Sequence, residues 1–155
     1  MYSRQQFADW GISLVFEEWS VSSNLKAGTL RGLHYQRDPY AEGKLVWCAS
    51  GSAYDVIVDL RSSSETFGKW VATELRPAGP ILYVPPGFAH GFQTLHDNTL
   101  IQYHIAGAYH PDAATGIRWD DPRLNIPWPS QPPAEISDRD RALPTLEERE
   151  RTVQR

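Results

Sequence analysis

The sequence predicts an all-β domain of the sandwich or jelly-roll type, with helix only near its two ends. Three observations carry that expectation. Short runs dominated by Val, Ile, Leu, Tyr and Trp recur at close spacing along most of the chain. Twelve prolines and eleven glycines among 155 residues punctuate them, which suits many tight turns. No long helical periodicity appears before residue 130.

The elements follow in order. Residues 4–10, RQQFADW, read as a short helix closed by Gly11. SLVFEEWSV then reads as a strand and SSNLKAG as a turn. Seven further strand-like runs come next: TLRGLHYQ, KLVWCAS, SAYDVIVDL, KWVATEL, ILYVP, GFQTL and TLIQYHIAG. In SAYDVIVDL the strand period of two sends Tyr54, Val56 and Val58 to one face and Asp55, Ile57 and Asp59 to the other. PWPSQPPAE reads as a rigid proline-rich connector. The charged tail SDRDRALPTLEERERTVQR turns helical near its end. The expectation is a single domain over residues 1–155, with a core at about 12–129 and a connector and tail at 130–155.

Composition narrows the partners. A net charge of −4 leaves no basic stripe for nucleic acid. No apolar run is long enough to cross a bilayer, and MYSRQQFADWG lacks the pattern of a secretory signal, so no membrane partner is expected. The single cysteine, Cys48, permits neither an internal disulfide nor a thiolate cluster and reads as a small core residue. A reducing cytoplasm is the simplest setting.

TLRGLHYQ holds Arg31 and His34 in a run that should bury apolar side chains. A guanidinium and an imidazole there point to a strand that lines a cavity with an anionic ligand. Two segments each deliver a histidine from a strand or its end: Gly28 with His34, Gln36 and Glu42, and GPILYVPPGFAHGF with His90. The pair resembles the two motifs of the cupin superfamily, whose small jelly-roll barrel holds its site inside. A metal-binding cupin places a second histidine where this chain has Gln36, so a metal would be left with His34, His90 and Glu42.

LRGLHYQ, GKLVWCASGSAYDVIVDLR, TFGKWV, VPPGFAHGFQTL, TLIQYHI and WDDPRLNIPWP, in that order, resemble the dTDP-4-dehydrorhamnose 3,5-epimerases, a metal-free branch of the cupins, over residues 28–144 or so. The resemblance implies a cupin-type jelly roll and a cofactor-free epimerase of a nucleotide-linked 4-keto-6-deoxyhexose, inverting carbon 3, carbon 5 or both. Protons on those carbons flank a ketone. The reaction therefore needs a base, an acid on the other face, and a cation near the ketone oxygen.

His34 matches the family's base, since imidazole titrates near neutrality. Asp140 matches the aspartate that supports it, with Asp138 as a rival in the same charge run. Tyr103 matches the acid and Lys44 the cation beside the enolate oxygen. Asp55 and His90 match cavity-lining residues expected to orient Lys44 and one another. Arg31 is expected on the diphosphate, as a guanidinium forks onto phosphate oxygens. Gln36 and Tyr109 complete the substrate-binding set. His104, next to Tyr103, should face the other way.

Each of these residues also has a purely structural reading: a satisfied core histidine, a solvated lysine, a surface arginine, a packed tyrosine. Two other functions stay open on the residues alone: a metal-dependent cupin such as a dioxygenase, and a non-catalytic sugar-binding cupin. The family carries an acidic–arginine–glycine–aromatic segment that crosses to the partner subunit, and this sequence starts at MYSRQQF, past that place. The expectation is therefore that the base and diphosphate are held differently, or that the nucleotide is a different one, or that the ligand is not the family's. A homodimer is expected, because such folds pair subunits to protect sheet edges.

Overall fold

The computed structural model describes residues 4–12 and 15–153. A short helix, α1 (Arg4–Asp9), precedes nine strands: β1 (Glu18–Asn24), β2 (Leu30–Gln36), β3 (Gly43–Ser50), β4 (Ala53–Asp59), β5 (Trp70–Leu75), β6 (Leu82–Val84), β7 (Phe88–Thr94), β8 (Thr99–Ala106) and β9 (Ala114–Gly116). Two helices, α2 (Asp138–Arg141) and α3 (Leu146–Val153), follow. The strands form two antiparallel sheets, β1-β8-β3-β6 and β5-β4-β7-β2-β9, which is the jelly roll that the strand spacing predicts.

Strand alternation builds two layers of core. Val46, Cys48, Ile57, Phe92 and Ile101 fill the space between the sheets. The outer face of the five-stranded sheet carries Val56 and Val58 with Leu30, Leu33 and Tyr35. That face is covered by Ile117, Leu124, Ile126, Trp128 and Leu146. β4 alternates as the sequence indicates, with Tyr54 also against the outer layer, but both of its faces are covered. Each such aliphatic side chain stabilises the fold by about 1.5–3 kcal/mol when fully buried.

Three elements differ from expectation. β1 starts at Glu18, so the strand runs through Ser22–Asn24, where a turn was expected. Part of the expected strand, residues 13 and 14, lies outside the described residues. β7 begins at Phe88, which places His90 within a strand instead of after a turn. β9 has three residues and no alternation to announce it, and forms by pairing with His34, Tyr35 and Gln36.

The proline-rich stretch is not a free spacer. Ala134 N donates to Gly28 O (2.9 Å) and Leu30 N to Glu135 O (2.8 Å). The buried Gln93 amide exchanges bonds with Ser130, 2.8 Å to its N and 2.9 Å to its O. Arg149 of α3 donates to Tyr35 Oη (2.9 Å) and Leu60 O (3.0 Å). The chain beyond residue 117 is thereby pinned to the sheet, which is what brings α2 to β2. No helix among the described residues is long and apolar enough to cross a membrane.

Candidate active site

β2 would not bring Arg31 and His34 together if it were regular, because residues an odd number apart face opposite sides. The strand is bulged. Arg31 pairs with Phe92 and His34 with His90, so Gly32 and Leu33 stand opposite Gly91 alone. Gly32 takes φ +119°, and a Cβ on it would lie 2.6 Å from Gly91 Cα. Two glycines thus let the backbones meet where the register slips, and both polar side chains reach one cavity.

That cavity, of about 160 Å3, lies between the sheets and is lined by Ser20, Arg31, His34, Lys44, His90 and Tyr103, with Phe92 and Ile105 as its apolar walls. An engineered cavity of about 150 Å3 holds one benzene ring, so the space suits a single sugar ring. His34 and His90 come from the five-stranded sheet, Lys44 and Tyr103 from the four-stranded one. Packed sheets lie about 10 Å apart, so His34 and Tyr103 address opposite sides of whatever lies between them. A second hollow of about 390 Å3 continues outward past Ser20, His34, Lys44 and Ile105 to Glu18, Tyr109 and Arg139.

His34 Nε2 lies 2.7 Å from Asp140 Oδ1. The second carboxylate oxygen accepts from Gly32 N (3.2 Å), an amide that the bulge turns toward it. Ser137 caps α2 by accepting from Asp140 N (3.0 Å), which orients the aspartate. Burial by itself would raise the Asp140 carboxyl, but the His34 hydrogen bond and charge and the Gly32 amide outweigh it and hold the group below its usual range. A carboxylate only accepts, so Nε2 carries the proton and Nδ1 is left with its lone pair. The rival Asp138 is exposed on the first turn of α2.

Tyr103 is half-buried, its ring set edge-on to His90 with centroids 6.0 Å apart. Burial drives its phenol well above 10, the Asp55 carboxylate adds to the rise, and Arg31 offsets part of it. The phenol is therefore a proton donor at neutral pH. Beneath it, His90 Nε2 lies 2.9 and 3.0 Å from the two oxygens of the fully buried Asp55. Burial raises the Asp55 carboxyl and His90 counters this. His104 points to the opposite face, where it meets Trp47 and Phe16.

Asp55 and His90 pair with each other, but the carboxylate that meets Lys44 Nζ, at 2.8 Å, belongs to Glu42. The buried Gln36 is committed to protein groups: its Nε2 donates to Glu42 Oε2 (2.7 Å), Ala108 O (3.1 Å) and Tyr40 O (3.2 Å), and its Oε1 accepts from His110 N (2.7 Å). It lines the outer hollow with its amide already bonded to the protein. Tyr109 is exposed at the outer mouth, where Glu18 Oε1 accepts from its amide (3.2 Å). Glu42, His34 and His90 do not form a metal cluster: among the described residues no three His, Cys, Asp or Glu side chains converge as one would require.

Sequence reasoning missed Asn24, whose Oδ1 accepts from Arg31 Nε (3.2 Å), and Ser20 and Arg139, which line the cavity and its outward extension. Arg139 sits beside the dyad aspartate in SDRD, and that adjacency was the available signal. Asn24 and Ser20 carried none.

The family model for dTDP-4-dehydrorhamnose 3,5-epimerase matches residues 1–148. The chain belongs to this family. It is 44% identical over 144 residues to the dTDP-4-dehydrorhamnose 3,5-epimerase of Sinorhizobium fredii, covering 92% of this chain and 72% of that protein. The crystal structure of the Bacillus anthracis dTDP-4-dehydrorhamnose 3,5-epimerase, with TDP and pyrophosphate bound, superposes with a TM-score of 0.90 at 42% identity, over 93% of this chain and 82% of that one. NovW of Streptomyces spheroides, a 4-keto-6-deoxy sugar epimerase from the novobiocin cluster, superposes with a TM-score of 0.92 at 32% identity, over 98% and 76%. The cupin-like jelly roll read from the sequence is the fold of these relatives.

Proposed function

We propose that the protein epimerises a nucleotide-linked 4-keto-6-deoxyhexose at carbon 3, carbon 5 or both, by removing and returning a proton next to the ketone. The observation that carries this reading is the shared cavity, with the His34–Asp140 pair on one wall and Tyr103 on the other.

His34 Nδ1 takes the proton from the carbon. Asp140 keeps the imidazole in the required tautomer and stabilises the imidazolium that forms. Negative charge then develops on the ketone oxygen, and the Lys44 ammonium stabilises it in a site largely screened from water. Tyr103 delivers its proton to the opposite face of the ring, which inverts the carbon; the imidazolium then gives its proton to solvent and the phenolate takes one back, which restores both groups. A phenol held well above its ordinary range keeps its proton until the carbanion claims it. Arg31, aligned by Asn24, takes the diphosphate, while Arg139 and Tyr109 along the outer hollow hold the nucleotide. The chemistry needs no redox cofactor and no metal.

The reading includes a homodimer in a reducing cytoplasm. The exposed Trp19 and Val21 on β1, at the edge of the four-stranded sheet, support the first, and a lone buried Cys48 is compatible with the second. The test is exchange of solvent deuterium into carbons 3 and 5 of dTDP-, GDP- and CDP-linked 4-keto-6-deoxyhexoses. Wild type should incorporate label and His34→Ala should not. No incorporation from any of the three donors, or undiminished incorporation by the variant, would refute the proposal.

A further inference from the structure

Lys44 borders both the inner cavity and the outer hollow, so its flexible side chain has two places to go. In the inner cavity it shares the lining with Arg31, whose positive charge repels an ammonium. Something must keep it there. Glu42 Oε1 stands 2.8 Å from Lys44 Nζ, with the two side chains only 10% and 12% exposed. Ion pairs in the open contribute little, but at this degree of enclosure losing one partner leaves the other charge without compensation.

Glu42 is itself held. Its other oxygen accepts from Gln36 Nε2 at 2.7 Å. The same amide group bonds Ala108 O and His110 N, on either side of Tyr109. A continuous chain of hydrogen bonds therefore runs from the ammonium in the inner cavity, through one carboxylate and one amide, to the backbone of the segment that carries Tyr109 at the outer mouth. With Glu42 taking one ammonium proton, two remain for an oxygen in the cavity.

We propose that Glu42 is the positioning residue for Lys44, and that through Gln36 it couples the placement of the ammonium to the 108–110 segment of the nucleotide-binding mouth. The inference rests on the epimerase reading for its kinetic consequence, but not for the contact itself. Glu42 acts through the ammonium, by deciding where the cation stands.

Two measurements test it on the full chain. Glu42→Gln keeps the shape and removes the charge. Its kcat should fall about 100-fold, the scale of a mispositioned or lost electrostatic donor, with KM little changed; Glu42→Asp should recover part of the loss. Gln36→Met should raise KM and lower kcat together, since it frees both the carboxylate and the 108–110 backbone. Separately, without substrate, acetylation of Lys44 by an amine-reactive ester, followed by peptide mass spectrometry, should be slow in wild type and about tenfold faster in Glu42→Gln, as the released side chain swings outward. Folded Glu42→Gln with wild-type kcat and a wild-type labelling rate would overturn the proposal. If Glu42→Gln does not fold, Glu42→Asp is read by the same two measurements and should shift both in the same direction by less. A wild type with no exchange on any nucleotide sugar sinks the epimerase reading, and the labelling rates then still decide whether Glu42 holds Lys44.

Discussion

Replacing Gly32 with alanine should damage stability and the site together. The residue sits at φ +119°, and an added methyl would lie 2.6 Å from Gly91 Cα and 2.8 Å from His90 O. Both neighbours are backbone, so no side chain can swing aside. Forcing an L-residue into left-handed backbone costs about 1–2 kcal/mol. Crowding a packed contact adds about 1–3 kcal/mol. The sum, about 2–5 kcal/mol, corresponds to a melting temperature lower by roughly 5–15 °C in a domain of this size. Gly68→Ala is the control: φ is also positive, at +72°, but the nearest atom is a flexible Leu146 methyl at 3.6 Å. It should show the backbone cost alone, about 1–2 kcal/mol. If the bulge relaxes in Gly32→Ala, the Gly32 amide leaves Asp140 and the register that sets Arg31 beside His34 slips. Deuterium exchange should then fall by about 100-fold, the effect of a misplaced reacting group. Calorimetry and the exchange assay read the two consequences independently. A Gly32→Ala protein that melts with Gly68→Ala and exchanges like wild type would refute the account of the bulge.

Asp140→Asn should lower kcat by about 100-fold or more, since an amide can present the wrong tautomer to His34, while Asp138→Asn at the exposed helix start should leave it unchanged; steady-state kinetics on both variants separates them. Tyr103→Phe should still exchange label at the carbon that His34 reaches, but net inversion, followed by NMR of the product, should drop by about 100-fold or more as the opposite-face acid is lost. Asp59 accepts from Arg61, Ser64 and Thr66 at 2.6–2.9 Å and is held well below the ordinary carboxylate range, first by the Arg61 bond and against its own burial. Asp59→Ala should destabilise by about 1.5–3 kcal/mol in urea melts at pH 7. Because the folded-state carboxyls of Asp59 and Asp140 are depressed, their stabilisation is complete above about pH 4, the unfolded value, and is lost as pH falls below it. The urea midpoint should therefore fall below pH 4, and the fall should be less steep in Asp59→Asn than in wild type.

Much of this protein is local in its chain. Alternation marks β4, and its two faces do part as the pattern dictates; turn residues and spacing announce a jelly roll; Tyr103 and His104 face opposite ways because neighbours on a strand must. The types of side chain needed for proton transfer beside a ketone were visible too. What the chain could not show along its length is partnership. The period of two would set Arg31 and His34 on opposite faces, and only the pairing of β2 with β7, two residues against Gly91, turns both into one cavity. Asp140 prevails over Asp138 because a docked C-terminal segment brings one carboxylate, and not its neighbour two places earlier, to a histidine 106 residues away. Lys44 finds Glu42 and Gln36 turns inward for the same reason: hydrogen-bond choice depends on which groups the sheets enclose together, and a strand pattern specifies faces, not partners.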